Sequence, residues 1–331
     1  MTDAASRPLT SRSWWPWLKR AAVTMFFGAV LSLLVSQARG VNWAEVLTAL
    51  RGYSLASVSA AVLLAAASFG LYSCFDLLGR HYTGHRLGAP TVMTVTFISY
   101  VFNLNLGSLV GGVAFRYRLY SRLGLATGTI TRVLTLSMLT NWMGYLLVGG
   151  LVFSLMPPTL PADWLITAFH LRMIGAVLVA VAAGYLALCA FSHKRAFSIR
   201  GHTIELPSAR LAALQLVIGA ANWLLMSGIV FVLLQQRIAF PAVVSVLLLA
   251  GIAGVVTHIP AGLGVLEAVF VALLSHQMPQ PALLAGLVAY RLVYYLAPLG
   301  LAAVVYLMME ARARRLGVRC SGARPVSPKP R

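Results

Sequence analysis

A few ionisable side chains lie inside otherwise apolar stretches of this sequence, and they are the first candidates for chemistry. Glu267 lies in one long apolar segment and Arg291 lies well inside another. An isolated charge is costly in a low-dielectric environment, so each of them needs a partner or water. An arginine fork suits a phosphate or carboxylate group, with Glu267 as counter-ion, proton site or gate. The alternative is a structural ion pair, or a Glu267 side chain that reaches an aqueous cavity.

Amides and glycines interrupt two of the apolar segments. Proline removes a backbone donor and glycine loosens a helix, so each interrupted segment predicts two half-helices around an irregular turn. Such turns can offer N–H groups and a helix start to an anion. The same composition suits close helix packing, and the sequence leaves both interpretations open. The candidates are Asn103, Asn105, Ser108, Gly111 and Gly112 in residues 91–115, and His258, Pro260, Gly262 and Gly264 in residues 242–275.

Basic and aromatic residues alternate directly after the first interrupted segment. Arg116, Arg118 and Arg122 have Tyr117 and Tyr120 between them. A solvated loop that sets the membrane topology explains this pattern, and so does the capture of a phospholipid headgroup.

Two further polar patterns occur within helical segments. Arg291 and Tyr294 share one helix face, at a spacing of three residues, and this face is expected to look into a helix bundle. Asp76 is followed four residues later by Arg80, which predicts a local ion pair near the membrane interface.

The composition requires that these residues be positioned by membrane helices. Apolar residues make up 60% of the 331 residues and charged residues 10%, which is too little charge to cover a soluble globule. Stretches of about 20 apolar residues match the hydrocarbon thickness of a bilayer. The segments are 21–37, 53–79, 91–115, 133–156, 165–191, 210–235, 242–275 and 281–308.

The distribution of Lys and Arg predicts the topology. If both interrupted segments are re-entrant hairpins, 21 of these residues face the cytoplasm and three face outside. If both segments span fully, the counts are 14 and 10. We therefore predict an all-α protein of the bacterial inner membrane with six full spans, two re-entrant hairpins and cytoplasmic termini. The net charge of +19 follows this pattern, so we expect no nucleic-acid partner.

An offset of 151 residues predicts an internal repeat. It places segment 53–79 on 204–230, and Arg116 on Glu267. With re-entrant hairpins the two halves have opposite orientations, as in many transporters. If the hairpins meet at their tips, Arg116 and Glu267 are close enough to pair. The predicted regions are a basic N-terminus (1–20), two membrane repeats (21–160 and 165–309) and a disordered basic tail (310–331).

The sequence contains no set of residues typical of a catalytic centre. There are seven acidic residues and three scattered cysteines, and we expect neither a metal nor a cofactor.

Several strings resemble the YbhN-type inner membrane proteins and, more distantly, the membrane domain of lysylphosphatidylglycerol synthase/flippase proteins. They are VFNLNLGSLVGG, FRYRLYSRLGL, TNWMGYLL, HIPAGLGVLEAVFVALL and AYRLVYYLAPL. The resemblance runs from about Leu18 to Glu310. It implies phospholipid translocation, whereas aminoacyl transfer in the fused relatives belongs to a separate soluble domain. This chain ends at Arg331 after a basic tail, so we do not expect that transferase activity.

The combined expectation is flippase-like handling of an anionic phospholipid, such as phosphatidylglycerol or cardiolipin. Arg116, Arg118 and Arg291 would contact the headgroup, together with Asn103, Asn105 and Tyr294, and Glu267 would balance the charge. Two alternatives remain open: a membrane component of an aminoacyl-phosphatidylglycerol transferase, and a non-transporting scaffold or lipid-binding partner. Either alternative is compatible with a partner that is an enzyme of lipid metabolism, or with a second copy of the chain.

Overall fold

The computed structural model describes residues 44, 48, 51–158, 160, 167–192, 196–199, 202–257 and 259–321. Nearly all of them are helical, which confirms the predicted all-α membrane class. The predicted N-terminus (1–20), the first apolar segment (21–37), His258 and the tail from residue 322 lie outside the described residues.

The first half of the described chain begins with a long helix and a helical hairpin. The elements are α1 (Leu55–Thr83), α2 (Ala89–Leu106), π1 (Ser108–Ala114), α3 (Phe115–Arg122), α4 (Thr127–Leu155) and α5 (Ala168–Phe191). Ser54 caps α1 by accepting a hydrogen bond from the Ser57 N–H, and Gly84 ends it with a left-handed φ of 67°.

The second half begins after a short antiparallel pair, β1 (Ala196–Ile199) and β2 (His202–Glu205). The helices are α6 (Ala209–Leu233), α7 (Phe240–Thr257), α8 (Val265–Leu274), α9 (Gln280–Arg291), π2 (Leu292–Leu296) and α10 (Ala297–Ser321), with a 3₁₀ turn (Pro260–Gly262) before α8. Good helix formers such as Ala, Arg and Leu follow residue 309, and α10 continues through them.

Six stretches of helix are long and apolar enough to cross a membrane. They are 55–83, 127–155, 168–191, 209–233, 240–257 and 280–311. Five of them coincide with predicted full spans. The sixth, 240–257, was predicted as the first half of a re-entrant hairpin, and its 18 residues are long enough to cross alone.

Residues 89–122, hereafter hairpin A, fold back on themselves at Gly107. The chain leaves α2 there with φ 86°, and π1 returns against the end of α2. The rings of Phe102 and Phe115 stack with their centroids 4.4 Å apart. A Cβ on Gly111 would lie 2.1 Å from the backbone nitrogen of Asn103, so only glycine permits this approach.

Residues 240–274, hereafter hairpin B, have the same form, with α8 packed on α7. The turn between them has left-handed backbone at Ala261 (φ 57°), Gly262 (φ 56°) and Gly264 (φ 77°). This turn contacts α2 of hairpin A. The two hairpins therefore meet at the turn of hairpin B, while their re-entrant placement in a membrane stays a prediction.

The bounds of the helices follow the predicted offset of 151. Ala89–Leu106 shifts to 240–257, which are the bounds of α7, and Phe115–Arg122 shifts to 266–273, within α8. The inverted orientation of the two halves stays a prediction.

The remaining long helices form a scaffold around the hairpins. Helices α4 and α6 approach closely where Gly144 meets Gly219, and a Cβ on Gly144 would lie 2.1 Å from the Gly219 carbonyl carbon. Helix α4 also packs on α5, and α1 packs on both α4 and α6. Small residues at such crossings are typical of membrane helix packing.

Candidate functional site

Hairpin A is joined to the scaffold by a fully buried ion pair between Arg116 on α3 and Asp76 on α1. The Arg116 Nε lies 3.0 Å from Asp76 Oδ2, and the two side chains are 2% and 0% exposed. The Tyr120 hydroxyl donates to the same carboxylate oxygen at 2.8 Å. The Arg116 Nη2 donates to Ser137 Oγ on α4 at 3.3 Å, so one guanidinium connects the hairpin to two scaffold helices.

This geometry corrects two expectations. The predicted pair between Arg116 and Glu267 is wrong, because Arg116 lies nine residues beyond Gly107, roughly 13 Å along a helix from the turn. The predicted interfacial pair of Asp76 with Arg80 is also wrong, because Asp76 is buried and binds Arg116. Asp76 is an acidic residue within the apolar segment 53–79. A charge within an apolar segment is also the feature that identified Glu267 as a candidate.

Hairpin B is joined to α9 by a second ion pair, between Glu267 and Arg291. The Arg291 Nε donates to Glu267 Oε1, and the Arg291 Nη2 lies 3.0 Å from Glu267 Oε2. The Arg291 side chain is 7% exposed and that of Glu267 is 20% exposed. The expectation that Arg291 faces the bundle interior is therefore met, and Glu267 keeps partial access to the surroundings.

Arg291 also holds the turn of hairpin B. Its Nη1 donates to the Ala261 carbonyl at 3.1 Å and its Nη2 donates to the Gly262 carbonyl at 3.0 Å. A left-handed backbone costs an L-residue such as Ala261 roughly 1–2 kcal/mol. The guanidinium thus stabilises an unfavourable turn and neutralises Glu267 at the same place.

A neutral polar network lies between the two ion pairs. Ser68 Oγ donates to Asn222 Oδ1 at 2.8 Å and lies 2.7 Å from the Tyr294 hydroxyl. The Tyr100 hydroxyl is 3.1 Å from that of Tyr294. Ser68 is near the middle of α1 and Asn222 is near the middle of α6, and all four side chains are buried. The sequence singled out Tyr294 but missed Ser68 and Tyr100.

Tyrosine rings connect this network to both ion pairs. Tyr72 stacks on Tyr100 at 3.4 Å, and the Arg116 guanidinium lies 5.9 Å from the Tyr72 ring centroid. On the other side, Tyr294 contacts Tyr295 with the ring centroids 6.0 Å apart. The Arg291 guanidinium lies 5.5 Å from the Tyr295 ring. A continuous line of aromatic rings and hydroxyls therefore runs from one ion pair to the other.

The polar residues of hairpin A take part in packing. Asn105 Nδ2 donates to the Val101 carbonyl at 2.8 Å, and lies 3.5 Å from the Tyr295 carbonyl of π2. A Cβ on Gly112 would lie 3.0 Å from Asn103 Oδ1. The small residues and the asparagines of hairpin A thus take part in helix packing. Their role in binding a ligand stays a prediction.

The basic residues after Arg116 lie against the last helix. Arg118 is exposed, and its guanidinium lies 5.9 Å from the Tyr306 ring. Arg122 forms an ion pair with Glu310, and the Arg122 side chain is 47% exposed. Arg118 and Arg122 are thus exposed at the surface, and both interpretations of the strip, a solvated loop and headgroup capture, stay predictions.

Comparison with known proteins agrees with the sequence resemblance. The family model described as the lysylphosphatidylglycerol synthase TM region matches residues 18–302. The inner membrane protein YbhN of Escherichia coli is 44% identical over 310 residues, which cover 93% of this chain and 98% of that protein. An uncharacterised protein of Synechocystis is 31% identical over 85% of this chain and 89% of its own length.

A more distant match is named as an enzyme. The phosphatidylglycerol lysyltransferase of Staphylococcus haemolyticus is 23% identical over 297 residues. These residues cover 87% of this chain and 34% of that protein.

Proposed function

The chain belongs to the lysylphosphatidylglycerol synthase TM region family, and we propose that it moves an anionic phospholipid between the leaflets of the bacterial inner membrane. Six long apolar helices make it a multi-pass membrane protein. The observation that carries the proposal is the pair of helical hairpins that meet inside the bundle, one held to α1 by a buried ion pair and the other held to α9 by a partly buried one.

The meeting hairpins support a transport pathway. Transporters often place the substrate near the middle of the bilayer, between interrupted helices whose turns expose backbone groups. Hairpin B offers such a turn at Ala261 and Gly262, beside the partly exposed Glu267.

The chemistry at hairpin B suits a phosphate. Arg291 already uses its planar fork on a carboxylate, and the same fork geometry matches two phosphate oxygens. In the proposed cycle a lipid phosphate replaces Glu267 on Arg291. The carbonyls of Ala261 and Gly262 then lose their donors, and the strained turn is released to move.

The polar network of Ser68, Tyr100, Asn222 and Tyr294 supports passage of the headgroup across the middle of the bundle. Hydroxyls and an amide provide both donors and acceptors without a further net charge. A polar headgroup that leaves Arg291 would meet this network before it reached Arg116. The acyl chains would remain among the exposed apolar side chains of the helices.

Reconstitution tests the proposal directly. The purified protein is placed in proteoliposomes with fluorescent phosphatidylglycerol or cardiolipin, and an impermeant quencher reports how fast the label changes leaflet. We expect faster exchange than in protein-free vesicles, and faster exchange of the anionic lipids than of a labelled phosphatidylcholine. Equal rates with and without protein would contradict the proposal.

The two alternative functions have distinct outcomes in lipid analysis of a deletion strain. Loss of a modified lipid would favour a component of a phospholipid transferase. Normal lipid composition and normal leaflet distribution would favour a scaffold. We expect normal composition with an altered leaflet distribution.

A further inference from the structure

Three side chains near the end of α1 carry buried polar atoms without a hydrogen-bond partner among the described residues. They are Asp76 Oδ1, Arg80 Nε, and both ring nitrogens of His85. Native proteins rarely leave such atoms unpaired, so a cluster of them within one region needs an explanation. None of these atoms takes part in the ion pair that fixes hairpin A, since that pair uses Asp76 Oδ2.

Tyr120 links the members of this cluster. Its hydroxyl donates to Asp76 Oδ2 at 2.8 Å, and its ring centroid lies 6.5 Å from the His85 ring. Arg80 is one helical turn beyond Asp76 on α1. Both Arg80 and Asp76 act electrostatically on His85. The free carboxylate oxygen and the imidazole thus belong to one local environment.

The charges around the cluster disfavour both metal cations and simple anions as ligands. Arg80 and Arg116 would repel a metal cation, while Asp76 would repel a simple anion. Among the unpaired atoms, Asp76 Oδ1 and the unprotonated ring nitrogen of a neutral His85 are acceptors, and these are the atoms that can take up a proton.

Charged and polar groups of four helices surround the cluster. Arg80 faces the cluster from α1, and Arg116 and Tyr120 face it from α3. Helix α2 contributes Thr96 and α4 contributes Ser137, neither of which titrates. Burial is the largest cause of a lowered His85 pKa, Arg80 lowers it further, and Asp76 opposes both. His85 is therefore neutral at neutral pH and can accept a proton.

We propose that Asp76 and His85 form a proton-binding site at the base of hairpin A. A proton from water adds to a ring nitrogen of neutral His85, and the imidazolium then competes with Arg116 for Asp76. No bond to carbon forms or breaks, and no electron is transferred. Proton uptake weakens the ion pair that holds hairpin A, so acidification frees the hairpin from α1.

This site is tested without any transport measurement, so its failure is distinguishable from failure of the proposed function. Histidine labelled with ¹⁵N is followed by NMR during a pH titration of the purified full chain. The signal of His85 is identified by its loss in His85→Gln. His81, an exposed histidine near the end of α1, is identified with His81→Gln so that its signal is not mistaken for that of His85.

The proposal predicts that His85 titrates below the ordinary imidazole value of 6.5. Asp76→Asn removes the attraction for the imidazolium and moves the His85 midpoint to still lower pH. Arg80→Gln removes a repulsion and moves the His85 midpoint to higher pH, and this variant decides the question if Asp76→Asn does not fold. A His85 midpoint at the ordinary value, or one that does not change with the Arg80 substitution, would overturn the proposal.

Discussion

Arg116 and Glu267 occupy equivalent positions in the two hairpins, and each pairs with a scaffold helix of its own rather than with the other residue. Arg116 binds Asp76 on α1, and Glu267 binds Arg291 on α9. The charge carried by the hairpin is positive in one case and negative in the other. Both hairpins are thus fixed by the same type of contact with opposite polarity.

The effects of substituting Asp76 and Arg116 on the stability of the protein are expected to be coupled. Removing one partner of a buried ion pair costs about 3–5 kcal/mol, because the other charge remains buried and unpaired. Arg116→Gln should therefore lower the melting temperature in detergent strongly, and adding Asp76→Asn should recover part of the loss. Additive losses in the double variant would show that the two residues are not coupled.

Gly111 is expected to be essential for the fold of hairpin A. An added Cβ would lie 2.1 Å from the backbone nitrogen of Asn103, so Gly111→Ala must push π1 away from α2. Overpacking of this kind costs about 1–3 kcal/mol or more. Gly70→Ala on α1 is the control, since nothing lies within 4 Å of its added Cβ. Thermal melting should separate the two variants, and equal stability would argue against the tight hairpin.

Tyr294→Phe should impair translocation more than folding. The substitution keeps the stacked ring but removes the hydroxyl shared by Ser68 and Tyr100. Each of these two neutral hydrogen bonds contributes about 1 kcal/mol of stability. We expect a clear loss of phospholipid exchange with only a modest decrease in melting temperature. Tyr306→Phe, on the last helix, is the matched control, and an equal effect of both would contradict a specific role for Tyr294.

Stability should decrease at mildly acidic pH through His85. Its pKa is lowered in the folded state, mainly by burial, so the unfolded chain binds a proton first as the pH falls. The stability that neutral His85 contributes is present above the ordinary value of 6.5 and is lost as the pH falls through the folded pKa. His85→Gln should flatten this part of the melting profile, and an unchanged profile would contradict this role of His85.

The predicted topology can be checked by labelling single cysteines in intact cells. Arg118→Cys and Ser198→Cys should react only with reagents that reach the cytoplasm, and Gln236→Cys should react from outside. Arg118 is chosen because its side chain is exposed, whereas the neighbouring Tyr120 is buried. External labelling at Arg118 or Ser198 would rule out the re-entrant topology.

The sequence predicted the membrane class, most helix positions and the two interrupted segments, because hydropathy and glycine or proline breaks act locally. The partners of the charged residues could not be predicted in the same way. The contact of Arg116 with Asp76 depends on how α3 lies against α1, which only the folded hairpin defines. The buried Ser68 could not be singled out either, because single serines occur throughout membrane helices.

The central claim is that the ion pair between Glu267 and Arg291 opens while a phospholipid headgroup passes. Its most direct test is the exchange rate of labelled phosphatidylglycerol in proteoliposomes that contain Glu267→Gln, compared with the control Glu310→Gln, which alters the exposed pair with Arg122. We predict a rate at least about tenfold below wild type for Glu267→Gln and a wild-type rate for the control, with both variants folded. A wild-type rate in folded Glu267→Gln would contradict the claim.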